Sequence, residues 1–121
     1  MARFVIYLEN STYHFELEGA HDEDILMVGE LLYSTLQETE EAIDLVISDG
    51  DDITCYGKDP KPKRRKKNPK GAYYYHFILK NSQIHVGTSM PFADEAQCDL
   101  GIQNCIDALS GTLDPTVVVE L

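Results

Sequence analysis

The chain states one pattern twice. Tyr13-His14-Phe15-Glu16-Leu17 returns as Tyr75-His76-Phe77-Ile78-Leu79, and the helical stripe Thr39, Ala42, Ile43, Val46, Ile47 returns 59 positions later as Cys98, Gly101, Ile102, Cys105, Ile106. Duplication constrains the fold more than any single motif, because a copy of roughly 50–60 residues buries too little apolar surface alone. Within 121 residues the two copies are expected to share one modest core.

Periodicity supplies the elements. Residues 3–9 alternate as a strand, with Phe4, Ile6 and Leu8 on one face, and Asn10-Ser11 makes a tight turn. The next strand puts Tyr13, Phe15 and Leu17 opposite His14, Glu16 and Glu18, and residues 25–29 form a third. Residues 35–47 read as a helix opened by Thr35 and Glu38 in a capping box. Residues 53–56 follow as a short strand. The second copy repeats the order. Residues 72–80 form a strand with Tyr73, Tyr75, Phe77 and Leu79 on one side, and Asn81-Ser82 makes a turn shortened by three residues. Residues 83–88 form the next strand, Asp94 and Gln97 open a helix reaching about Leu109, and residues 116–121 form a terminal strand.

The copies differ at residues 58–70. Eight of the ten basic residues and one of the 21 acids fall there, so this segment carries +7 and the remainder −18, for a net charge of −11. Its three prolines and near-absence of apolar residues predict an extended, mobile hairpin tip. The chain is thus an acidic body with one basic arm. Three cysteines, an odd number without CxxC spacing, argue against a disulfide framework. Cys98 and Cys105 lie two helical turns apart, roughly 10 Å, which is too far to bridge and is expected for core positions. The apolar stretch from Phe4 to Leu8 is too short for a signal peptide, and no run suits a membrane span, so a soluble, cytoplasmic chain is expected.

Taken in order, Phe4-Val5-Ile6-Tyr7, Tyr13-His14-Phe15-Glu16-Leu17, Ile25, Ser34-Thr35 and Ala42-Ile43 resemble the YegP-like family of small proteins. In the second half the matching features are Tyr75-His76-Phe77-Ile78-Leu79-Lys80, Gln83-Ile84, Gly101-Ile102 and Pro115-Thr116-Val117. The resemblance covers the chain except for the basic insert. It implies an α+β fold in which two β-β-β-α-β repeats, about 1–56 and 53–121, form a single antiparallel sheet with two helices on one face and exchanged C-terminal strands. It also points to a prokaryotic or viral source. It implies no reaction, cofactor or catalytic residue.

The functional signals follow from charge. Lys61, Lys63, Arg64, Arg65, Lys66, Lys67 and Lys70 are the residue types that bind phosphates by counterion release, and Tyr74, facing away from Tyr73 and Tyr75, is placed to stack on a base. Nucleic acid or another polyanion is the partner this arm would take, against repulsion from the body. The same run has the composition of a nuclear-import signal, at odds with a prokaryotic source. The acidic body reads first as a solubility device suited to high salt, then as a surface for a basic partner, and last as a DNA mimic. His14 and His76 occupy equivalent motif positions and would meet as a metal pair only near a twofold axis; surface strand positions explain them better. Asp22-Glu23-Asp24 and the group Asp49, Asp51, Asp52 are acidic turns without a calcium-loop pattern. No Gly-rich phosphate loop, GxSxG or spaced Cys–His pair is present, leaving a small enzyme as the least supported reading. The expectation is a non-enzymatic interaction module, monomeric and acting as a pseudo-dimer, with no cofactor or metal; polyanion binding through the arm is the alternative.

Overall fold

A computed structural model describes residues 2–19, 25–60, 73–110 and 116–120. The elements run β1 (Arg3–Glu9), β2 (Thr12–Glu18), β3 (Ile25–Gly29), α1 (Leu36–Asp49), a 3-10 turn (Ile53–Cys55), β4 (Tyr56–Pro60), β5 (Tyr73–Ile78), β6 (His85–Thr88), α2 (Glu95–Leu109) and β7 (Thr116–Glu120). They form one sheet in the order β4-β5-β6-β3-β2-β1-β7. Among the described residues no helix is long and apolar enough to cross a membrane.

Local chemistry sets the boundaries. Asn10 and Ser11 both take positive φ, 52° and 66°, the left-handed pair whose twist matches a two-residue hairpin. Thr35 caps α1 by accepting the Glu38 amide at 3.1 Å, and Asp94 caps α2 by accepting the Gln97 amide at 2.8 Å. The expected stripes are the buried ones: Thr39, Ala42, Ile43 and Val46 on α1; Cys98, Gly101, Ile102, Cys105 and Leu109 on α2. Both helices join Phe4, Ile6, Phe15, Leu17, Met27, Tyr75, Phe77, Leu79 and Val86 in one core, so both lie on the same side of the sheet. Aromatic edges lock it: Phe4 meets Phe15 at 5.8 Å and Tyr56 meets Phe77 at 5.0 Å between ring centres.

Four expectations need correction. The sheet is antiparallel across six strands, but β7 runs parallel to β1, with Arg3 opposite Thr116 and Tyr7 opposite Glu120. Parallel pairing needs a crossover connection, and α2 lies in the chain that leads to β7. Residues 53–55 are a 3-10 turn rather than a strand, because Asp52 accepts the Thr54 amide at 2.9 Å and winds the chain. The strand begins at Tyr56 and takes in Lys58, so the start of the basic insert belongs to the sheet.

The fourth concerns the repeated Tyr-His-Phe motif. Tyr13 bridges Tyr33 and Tyr73 bridges Phe92, while Leu17 lies opposite Met27 and Phe77 opposite Gly87, so the rungs recur at a spacing of 60 and not at the motif's 62. The connection between these strands is therefore not shortened. A shift of two residues preserves every inward and outward face, so alternation cannot detect it. By rung, His14 matches Tyr74 and His76 matches Glu16.

Candidate interaction surfaces

The helix-free face of the sheet gathers the expected polar and aromatic residues. Tyr7 stacks on His14 at 5.3 Å between ring centres, and His76 meets His85 edge-on at 4.6 Å. His85 directs Nε2 to Glu30 at 3.5 Å, and Glu30 also accepts the Thr88 hydroxyl. The His76 Nε2 instead lies over Gly57, where a Cβ would meet it at 2.3 Å. The two imidazoles therefore aim these nitrogens in different directions, and His14 lies with Tyr7, away from both. Among the described residues no group of three or more His, Cys, Asp or Glu side chains is arranged to hold a metal ion.

Of the polyanion-binding residues read from the sequence, Lys61, Lys63, Arg64, Arg65, Lys66, Lys67 and Lys70 lie outside the described residues, as do His21 and Asp22-Glu23-Asp24. Tyr74 is described: half-buried on β5, on the face opposite Tyr75 and opposite Asp59 in the β4 register. Lys58 is already committed. Its ammonium sits 2.7 Å from Asp99 and 2.8 Å from Glu95, tying β4 to α2, and these two hydrogen-bonded carboxylates raise its pKa.

The thiols and the acidic turn are structural. Cys55, Cys98 and Cys105 are buried and free. Burial pushes the Cys105 thiol up to about 11, against hydrogen bonds from Tyr56 and Tyr75 that favour the thiolate. In the acidic turn, Asp52 accepts the Lys80 ammonium at 2.6 Å and both the amide and the hydroxyl of Thr54, at 2.9 and 2.6 Å. Asp49 accepts the Lys80 amide at 2.9 Å. Turn capping and one lysine account for these two carboxylates.

Sequence reasoning missed two grooves flanking the helices. One, of about 240 Å³, runs between α1 and the β5–β6 hairpin and is lined by Leu31, Tyr33, Ala42, Leu45, Leu79, Ile84 and Val86, with Glu38 and Glu41 on its rim. The other, of about 280 Å³, runs between α2 and β3 and is lined by Leu26, Met90, Phe92, Gly101 and Asn104. They are counterparts: Leu31 and Met90, Tyr33 and Phe92, Ala42 and Gly101, Leu45 and Asn104 are each separated by the 59 residues of the helix spacing. Large apolar side chains stay at the surface, with Leu45 52%, Ile84 46% and Leu31 37% exposed at the first groove and Met90 48% exposed at the second. The sequence signal was the off-stripe Leu45 on a helix otherwise acidic on its outer face.

No family model matches the sequence, and no curated protein matches it. Solved structures do. A UPF0339 protein from Shewanella oneidensis superposes with a TM-score of 0.77 at 18% identity, covering 98% of this chain and 90% of that one. The protein of unknown function yegP from E. coli superposes with a TM-score of 0.77 at 20% identity, covering 98% and 92%. At such identity the likeness establishes the fold alone, and that fold is the YegP-like α+β sheet with two helices.

Proposed function

We propose that this chain is a non-enzymatic interaction module, a monomer built as a pseudo-dimer from two tandem β-β-β-α-β repeats that exchange their C-terminal strands. Support for the exchange comes from β7, which leaves the second half to run parallel with β1 of the first, whereas β4 pairs with β5 as β1 does with β2. The observation that carries the module reading is the pair of counterpart grooves, one bordered by exposed Leu31, Leu45 and Ile84 and the other by exposed Met90. Duplicated concave surfaces with unburied apolar area suit docking of other chains. The thiols, buried with raised pKa values, are poor nucleophiles. The test is cross-linking in the native host followed by mass spectrometry. Discrete complexes formed by the parent and lost in Leu45→Gln or Met90→Gln support the reading. A chain without protein partners that depletes a component of a metabolite extract overturns it.

Polyanion binding through Lys61, Lys63, Arg64, Arg65, Lys66, Lys67 and Lys70 is the second reading, favoured by the position of Tyr74 on the helix-free face four residues after Lys70. It predicts a steep salt dependence of nucleic-acid affinity that disappears when residues 63–67 are neutralised and weakens in Tyr74→Ala. Equal, negligible binding by parent and variants rules it out.

A further inference from the structure

The two grooves differ in charge and in filling. In the α2 groove the Phe92 ring occupies the space where a side chain at Gly101 would lie, 2.4 Å from an ideal Cβ, and the position matching Leu45 is the polar Asn104. The α1 groove keeps Leu45 and Ile84 at the surface, has Leu79 and Val86 as its floor, and carries Glu38 and Glu41 on its rim. Its acids lack cationic partners among the described residues. Arg3 is on Glu18, Lys58 on Glu95 and Asp99, and Lys80 on Asp52. Glu38 and Glu41 instead take uncharged donors, Thr35 and Gln37, each at 3.1 Å.

Building on the module reading, we propose that the α1 groove docks a basic segment of another protein, one that seats an aliphatic or aromatic side chain against Leu45, Ile84 and Val86 and places flanking Lys or Arg on Glu38 and Glu41. About 240 Å³ suits one or two large side chains and is too small for a folded face. An apolar anchor between desolvating neighbours supplies affinity, while the rim charges supply orientation and rate.

The experiment is an NMR shift titration of the full chain with capped hexapeptides alternating Lys or Arg with Leu or Phe. Two controls replace the basic residues by Glu or the apolar residues by Ser. Saturable shifts centred on Leu31, Leu45 and Ile84 are expected for the basic-apolar peptides alone, with weaker binding at high salt. Leu45→Gln and the pair Glu38→Gln with Glu41→Gln should each weaken binding about tenfold. Both alter exposed side chains, and an unchanged amide spectrum elsewhere checks the fold. Absence of saturable shifts, shifts centred on the α2 groove or the helix-free face, or equal binding by either control overturns the proposal. If the peptides fail while Leu45→Gln still removes a cross-linked partner, this inference falls and the module reading stands.

Discussion

At the scale of single residues, the half-buried Asp52 serves two partners. It caps the 3-10 turn through Thr54 and holds Lys80, so one carboxylate closes the α1 terminus onto the end of β5. The Lys80 and Thr54 hydrogen bonds lower its pKa well below the ordinary value, and the hydrogen bond to Asp52 raises that of Lys80. A carboxylate with a depressed folded pKa adds stability above its unfolded value, about 3.9, and that contribution is lost as pH falls toward the folded value. Asp52→Asn should therefore melt below the parent at pH 7, with the gap narrowing on the acid side of pH 4. A gap that stays constant from pH 7 to pH 2.5 in thermal scans would assign the loss to the cap instead. The pair reaches solvent, so the effect is small. Residue identities of this kind were readable in advance: the caps Thr35 and Asp94 and the buried Cys98 and Cys105 follow from helical spacing and side-chain chemistry that act within one turn.

At the scale of elements the sequence was legible in type and illegible in rung. Strand alternation fixes which face Tyr75 and Phe77 present, but a two-residue slide leaves every face unchanged, so the repeated Tyr-His-Phe motif misled about which rungs correspond. The parallel docking of β7 was hidden for a similar reason: orientation depends on where a helix delivers the chain, which lies beyond the strand's own residues. The grooves were hidden because each forms between a helix and strand residues distant in sequence, α1 with the β5–β6 hairpin and α2 with β3. Helix contact offers a sharper test. Gly50 ends α1 in a right-handed conformation any residue can adopt, yet a Cβ there would lie 2.4 Å from Leu109 Cδ1 and 2.8 Å from Leu109 Cβ at the end of α2. Gly50→Ala should cost about 1–3 kcal/mol by overpacking. In a Leu109→Ala background, which removes the 2.4 Å contact but leaves Leu109 Cβ and the Val46 carbonyl at 2.8 and 2.7 Å, the same change should cost measurably less without becoming neutral. Equal costs in both backgrounds, read from urea unfolding, would show that the helix ends do not meet there.

At the scale of the whole molecule, the question is whether either half is a domain. Among the described residues, several long-range ties cross between them. β4 pairs antiparallel with β5, and the last strand, β7, crosses the sheet to run parallel with β1. The central β3–β6 seam pairs Val28 with Thr88 and Gly29 with Gly87, the Glu30 amide donates to the Val86 carbonyl at 3.0 Å, and side chains add support. The Met27 side chain fills the space above Gly87, where a Cβ would be 2.4 Å from its Sδ, and Glu30 reaches Thr88 and His85 across the seam. Tyr75 donates its hydroxyl to the Leu26 carbonyl, binding the second half's core to the first half's strand. A fragment of residues 1–60 would leave β4 unpaired and an edge of β3 open; residues 73–121 would leave β7 unpaired and the apolar face of α2 half covered. Unpaired backbone and uncovered apolar surface are costs that so short a chain cannot offset. The two fragments should each be unfolded alone and regain the parent's circular dichroism when mixed, as a 1:1 complex whose stability rises with concentration. Either fragment folding as a monomer would show that the core is divisible, and the duplication would then describe two neighbours rather than one interlocked sheet.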